Sequence, residues 1–186
     1  MTDVRLAWAV IVLSIVPAAS EAAQRSQPKP GSAAAASQAS GPDLFAGYSY
    51  TEAGAATLNG LQVSASFGLW KKTRLAVELS RHGGSYAGAD LKQLAFLAGP
   101  RKVWHSGKLS PFAQVLAGVA RATTTVPGGL SDSTTGWGIA PGGGLDYQIS
   151  RHWGARGQTR LFLLHGGGTW DKDLGLAIGA TYRLGR

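Results

Sequence analysis

The feature that most restricts this chain is an alternation of large apolar with small or polar residues, which recurs eight times between Asp43 and Arg186. The stretch GWGIAPGGGLDYQIS, residues 136–150, shows it well. One set of alternate positions holds Trp137, Ile139, Pro141, Gly143, Leu145, Tyr147 and Ile149; the other holds glycines, Ala140, Asp146, Gln148 and Ser150. A period of two marks a strand, because successive side chains there point to opposite faces. The same pattern sets Leu61, Val63, Ala65, Phe67 and Leu69 against Gln62, Ser64 and Ser66. It sets Leu75, Val77 and Leu79 against Arg74, Ala76, Glu78, Ser80 and His82. Leu94, Phe96 and Ala98 oppose Gln93, Ala95, Gly99 and Arg101; Ala155, Thr159, Leu161 and Leu163 oppose Arg156, Gln158 and Arg160. In the last segment Leu174, Leu176, Ile178, Ala180, Tyr182 and Leu184 oppose glycines, Ala177, Thr181 and Arg183. Segments 43–51 and 110–121 alternate less cleanly. No helical apolar period interrupts the series.

Two architectures alternate in this way, a soluble sandwich and a membrane barrel. The composition of the smaller face separates them. Water-facing strand surfaces favour Thr, Lys and Glu, whereas this face is glycine, alanine, serine and a few charges. Charged residues make up 15% of the chain, against about 25% in ordinary soluble domains. Small residues that leave room for a few long ones suit the crowded interior of a narrow barrel. Eight is also the smallest strand number usual for bacterial outer-membrane barrels. The expected fold is therefore all-β: an eight-stranded antiparallel up-and-down transmembrane β-barrel with its large apolar residues facing lipid. Trp70, Trp104 and Trp153 fall at three short connections, and Trp137 and Trp170 at the opposite strand ends. Two levels of tryptophan are the pattern of interfacial belts. Short connections near 70–73, 102–109 and 150–153 are expected to face the periplasm. Longer loops near 52–58, 83–90, 122–135 and 165–173 are expected to face outward. Pro111 and Pro141 are expected at a strand end, a bulge or an edge.

The N-terminus accords with export. MTDVRLAWAVIVLSIVPAASEAAQ has a short start in which Asp3 offsets Arg5, an apolar run from Leu6 to Val16 and small residues before Ala22. That is the plan of a secretory signal peptide, too short to span as a helix. We expect a signal peptide over 1–22, an unstructured Ala/Ser/Pro-rich tail over 23–42 and the barrel over 43–186. The net charge is +8, but no Lys/Arg run exceeds two residues, so nucleic acid is not an expected partner. With no cysteine in the chain, disulfides and cysteine metal sites are excluded.

Several stretches carry a family likeness: LFAGYSY at the opening, LAGPRKVW, SPFAQVLAGVARA, GGGLDYQISRHWGARGQTRLF, and LGLAIGATYRLG at the close. With these the chain from about 43 to 186 resembles the small eight-stranded outer-membrane β-barrel family, OmpA-like in the broad sense. The resemblance implies a bacterial outer-membrane location and dealings with the barrel-insertion machinery. It implies little about activity. Members usually end in an aromatic residue, where this chain has YRLGR.

Alternation assigns Glu78, Arg101, Asp146, Arg156, Arg160 and Arg183 to the lumen. Isolated ions in so narrow a space are costly. We therefore expect a network of Arg–carboxylate pairs, with Asp146 joined to Arg156 or Arg101 and with Gln93, Gln114 and His82 nearby. Such a network reads as a structural plug or as a narrow ion path, and a filled small barrel favours the plug. The excess of arginine over acid suggests that lumenal or rim arginines meet lipopolysaccharide phosphates. Lys71, Lys72 and Lys108 suit anionic headgroups on the periplasmic side.

The search for chemistry is brief. His82, His105, His152 and His165 lack metal-ligand spacing. DKD at 171–173 lacks the remainder of a calcium loop and reads as a solvated loop. No G-x-S-x-G elbow occurs. A lipid A-modifying enzyme needs a Ser–His–acid group. Glu78, Ser80 and His82 come nearest, but alternate residues of a strand stand about 6–7 Å apart, and these point inward. The expectation is a monomeric, non-enzymatic, cofactor-free outer-membrane barrel. Its partners are outer-membrane lipid and lipopolysaccharide, and its role is structural or interactional with minor, porin-like conduction at most. A lipid A-modifying barrel enzyme and a soluble secreted β-sandwich binding module are the alternatives.

Overall fold

The structure, a computed structural model, describes residues 41–54, 56–70, 73–86, 88–166 and 168–184. The expected signal peptide and the tail as far as residue 40 lie outside the described residues, as do Lys71 and Lys72. The elements are β1 (Asp43–Ala53), β2 (Ala56–Trp70), β3 (Thr73–Tyr86), β4 (Ala89–Val103), β5 (Leu109–Thr125), β6 (Ser131–Gln148), β7 (Trp153–Gly166) and β8 (Thr169–Arg183). Each strand pairs antiparallel with the next, and β1 pairs with β8, so the sheet closes into one eight-stranded barrel. Closure replaces the two packed sheets of the sandwich alternative and leaves no open strand edge.

The strands tilt. Following partners from Thr51 through Gly175, Arg160, Gly142, Gln114, Arg101 and Arg74 leads to Gly68. Gly68 lies two residues past Ser66, the partner of Asp43, so one circuit returns about ten residues below Thr51. This stagger brings residues far apart in sequence to one level of the lumen.

The strands run longer than their apolar segments. β5 and β6 continue through Thr123–Thr125 and Ser131–Thr135, and β3, β4, β7 and β8 extend likewise. The expected long outer loops are therefore corrected to short connections: two positions separate β1 from β2, β3 from β4 and β7 from β8, and five, 126–130, separate β5 from β6. Gly54, Gly88 and Gly168 supply positive φ in three of them, +60°, +83° and +85°, as tight hairpins demand. The polar composition of these stretches suggested loops, yet ladder hydrogen bonds are made by backbone, and a strand projecting above the lipid faces water outside and polar groups inside. Loop length thus no longer distinguishes the two ends. Outward residues do: they are apolar down to the end that carries the termini, with Leu44, Leu69, Leu109, Tyr147 and Trp153 exposed there. At the other end they turn to Thr57, Asn59, Arg81, Lys92, Arg121, Thr123 and Ser133.

Proline is also placed differently from expectation. Pro141 lies inside β6, and the β6–β7 pairing lapses between Ile139 and Gly142, then resumes in the same register. A missing N–H there interrupts one ladder while the other, to β5, continues through Val115.

Inside, alternation is strict. Ala76, Ala95, Leu97, Leu116, Ala120, Ala140 and Phe162 form an apolar cluster. The lumen is thus less uniformly small and polar than the sequence pattern suggested.

Candidate functional site in the lumen

Near the end that carries the termini, five charged side chains meet. Arg156 and Asp146 sit directly opposite in β7 and β6. Arg156 Nε donates to Asp146 Oδ1 at 2.6 Å and Nη2 to Oδ2 at 2.9 Å, the bidentate fork that orients as well as binds. Arg156 Nη2 also lies 3.5 Å from Asp43 Oδ1 on β1. Asp43 Oδ2 in turn receives Arg74 Nη2 at 3.2 Å. Arg74 donates further to Ser66 Oγ at 2.9 Å and to the carbonyl of Gly41 at 2.6 Å. Arg101 donates through Nε to Gln114 Oε1 at 2.8 Å. The Phe112 ring lies under two guanidinium groups, 4.7 Å from Arg101 and 5.0 Å from Arg156, and the Phe45 ring lies 5.4 Å from Arg156. Glycine makes space for these rings. A Cβ at Gly144 would come within 2.8 Å of Phe112, and one at Gly47 within 2.6 Å of Phe45.

Further along the barrel Glu78 on β3 pairs across the lumen with Arg160 on β7. Arg160 Nη2 reaches Ser80 Oγ at 3.3 Å, and Gln158 Nε2 lies 3.5 Å from the other Glu78 oxygen. Toward the far end His82 Nε2 meets Ser49 Oγ at 2.8 Å and Thr51 Oγ1 at 3.3 Å. Gln93 Nε2 donates to Asp173 Oδ2 at 3.4 Å. Glu78, His82, Arg101 and Arg156 are each 2% exposed or less.

Of the six residues assigned to the lumen, the structure places Glu78, Arg101, Asp146, Arg156 and Arg160 inside. Arg183 stands half-buried at the mouth and donates to Gln148 Oε1 at 3.1 Å rather than to a carboxylate. Three members escaped the sequence reading as members of the network: Asp43, Arg74 and Asp173. Asp43 is legible in hindsight, since it alternates with Phe45, Gly47, Ser49 and Thr51. Asp173 was read as part of a solvated loop, but β8 begins at Thr169 and turns it inward. With these included, Arg74, Arg101, Arg156 and Arg160 face Asp43, Glu78, Asp146 and Asp173, four against four among the described residues. The lumenal arginine excess disappears.

The arrangement does not join Ser80 to His82. Ser80 is held by Arg160, and His82 meets Ser49 instead of Ser80. Ser49 and His82 are each 1% exposed and sit within the lumen, away from the lipid face. Among the described residues no three His, Asp or Glu side chains come together as metal ligands.

On the outside, Trp137 packs edge-to-face on Trp170 at 5.6 Å, and His165 joins both at 5.7 and 4.8 Å. At the opposite end Trp153 packs on Tyr182 at 4.9 Å, and Lys102 lies 5.5 Å from the Trp104 ring. Trp70 closes β2 at that same end.

No family model and no curated protein matches the sequence. Solved structures do match its fold. Neisserial surface protein A superposes with a TM-score of 0.64 at 17% identity, over 77% of this chain and 96% of that one. Ail, the attachment invasion locus protein of Yersinia pestis, superposes with a TM-score of 0.59 at 18% identity, over 77% and 99%. The outer membrane protein OprG from Pseudomonas aeruginosa gives 0.58 at 14% identity, over 79% and 97%. The chain thus has the eight-stranded barrel fold of these small outer-membrane proteins.

Proposed function

We propose that this chain is a bacterial outer-membrane β-barrel with a filled lumen, a structural or interaction element of the envelope rather than an enzyme or an open pore. One observation carries the reading: the polarity of the molecule is inverted. Leu61 and Ile178 are 68% and 69% exposed on the outside, while Glu78 and Arg156 are 0% and 2% exposed within. Exposed apolar side chains run round the whole circumference, from Leu44 on β1 to Ile178 on β8. Such a surface is stable only against hydrocarbon. From Pro111 to Val119 the strand rises roughly 27 Å, or about 20 Å along the axis at the usual ~40° tilt, comparable to the ~25 Å apolar band of outer-membrane barrels. Trp104 and Trp153 at one margin, and Trp137 and Trp170 at the other, suit the two headgroup levels. The polar strand extensions support an outward orientation for the end opposite the termini. The signal peptide over 1–22 and the tail over 23–42 fit this route, as do the insertion machinery as a transient partner and a monomeric state.

The buried side chains that crowd the lumen, Leu97, Arg101, Leu116 and Arg156 among them, support a plug over a porin-like channel, and the bond of His82 to Ser49 rather than to Ser80 gives the lipid A-modifying alternative no support. The test is fractionation of cells expressing the full chain, followed by gel migration with and without boiling. Heat-modifiable migration in the outer-membrane fraction supports the reading. Recovery in the soluble periplasm with one unchanged band contradicts it.

A further inference from the structure

We propose that the outward face of β3, β4 and β5 carries a binding site for a multiply phosphorylated outer-leaflet lipid, built on Arg81, Lys92 and Arg121. The inference rests on the membrane reading above and names a partner for one sector of the barrel's rim.

Register puts the three cations together. Leu94 pairs with Arg81 on one side and Arg121 on the other, and Lys92 is the next outward residue of β4. Neighbouring strands lie about 4.8 Å apart, so the Arg81 and Arg121 backbones flank Leu94 at roughly 10 Å, within reach of one headgroup. All three cations are exposed. Arg121 donates to Ser133 Oγ at 3.1 Å, and Thr123 and Ser133 pair beside it, so hydroxyls border the patch. Asp90 is the one outward carboxylate on this sector among the described residues, and it lies beyond Lys92, farther from the apolar band.

Position selects the occupant. Directly below the cations lie Leu79, Phe96 and Val119, exposed by 44%, 51% and 51%, with Leu94 among the cations at 49%. A soluble anion uses the charges and ignores this surface. A lipid with several phosphates and several acyl chains uses both, its phosphates at Arg81, Lys92 and Arg121 and its chains along the leucines and phenylalanine. Three like charges so close repel one another, and an anionic headgroup relieves that repulsion. The patch is local. At the same level β1 presents Tyr50 and Glu52, β2 Asn59, β6 Thr135, and β7 and β8 the His165–Trp170 pair with Lys172.

The test reconstitutes the full chain in phosphatidylcholine nanodiscs and titrates fluorescent bisphosphorylated lipid A. Gel heat-modifiability first establishes insertion; a chain that fails to insert refutes the membrane reading and the site with it. For inserted protein, each cation removed is expected to weaken binding about fivefold, and the triple variant R81A/K92A/R121A on the order of a hundredfold. Lys172→Ala, outside the patch, is expected to leave binding within about twofold. Inorganic phosphate at millimolar concentration is expected not to compete. Equal binding by wild type and triple variant overturns the site. Full competition by inorganic phosphate overturns the lipid as its ligand.

Discussion

The two ends of the lumen solve the same problem differently. At the end that carries the termini, Arg74, Arg101 and Arg156 face Asp43 and Asp146, three cations to two anions. From mid-barrel to the far end, Arg160 faces Glu78 and Asp173, one cation to two anions. The surplus cation is stacked on an aromatic face: the Phe112 ring lies under Arg101 as well as Arg156. The surplus anion is held by a neutral donor, Gln93 to Asp173. Aromatic quadrupoles attract cations and cannot hold anions, and the rings that meet guanidinium groups, Phe45 and Phe112, lie at the cationic end. Amide and hydroxyl donors take their place at the other, in Gln93, Gln158 and Ser80. Among the described residues charge balances over the lumen but not within either end, and each imbalance is met by the chemistry that suits its sign.

The sharpest way to break this contrast is Arg156→Ala. It removes the partner of Asp146 and one partner of Asp43, and it leaves a carboxylate buried without a counter-charge. Unfolding of the refolded barrel in urea, followed by its heat-modifiable band, is expected to show a loss of about 3–5 kcal/mol. Glu78→Gln tests the other end. Arg160 keeps Ser80, and the amide keeps the shape, so the same assay is expected to show about 1.5–3 kcal/mol. Phe112→Leu sharpens the role assigned to the ring. It is expected to cost about 1–2 kcal/mol, more than its small change in volume implies, through lost stacking under two guanidinium groups. A double cycle with Arg101→Met apportions that loss, since Phe112→Leu should cost less once one of its two cations is gone. Asp173→Asn is the mildest change. It preserves the bond with Gln93 and removes a surplus charge, so the expected shift is under about 1 kcal/mol.

Much of this was legible before any coordinates. Period-two patterning separated the inward from the outward face at positions such as Phe67, Leu79, Ile139 and Ile178, because register in a half-buried strand is set by which face meets the apolar phase. It also chose five of the lumenal charges. The remainder failed for identifiable reasons. Asp173 and the polar ends of β5 and β6 were read as loop because their composition is hydrophilic, yet a strand that leaves the membrane carries polar residues on both faces and still pairs. Large apolar residues in the lumen, Phe45, Phe112 and Phe162 among them, were passed over because an inward position was equated with a small or polar one. Space for Phe45 comes from Gly47, two residues along the same strand, and space for Phe112 from Gly144, its register partner on β6. The stagger of the closed barrel decides which ions meet: Glu78 and Arg160 lie 82 positions apart, and alternation alone puts no distance between them.

The measurement that bears most directly on the account is electrical. If the charged groups and the apolar cluster fill the lumen, the full chain inserted in a planar phospholipid bilayer passes no steady current at modest voltage. Inserted protein, proven by heat-modifiable migration from the same preparation, is expected to leave the bilayer silent. A stable ohmic conductance that scales with the amount of inserted protein would contradict the plug and make the barrel a channel.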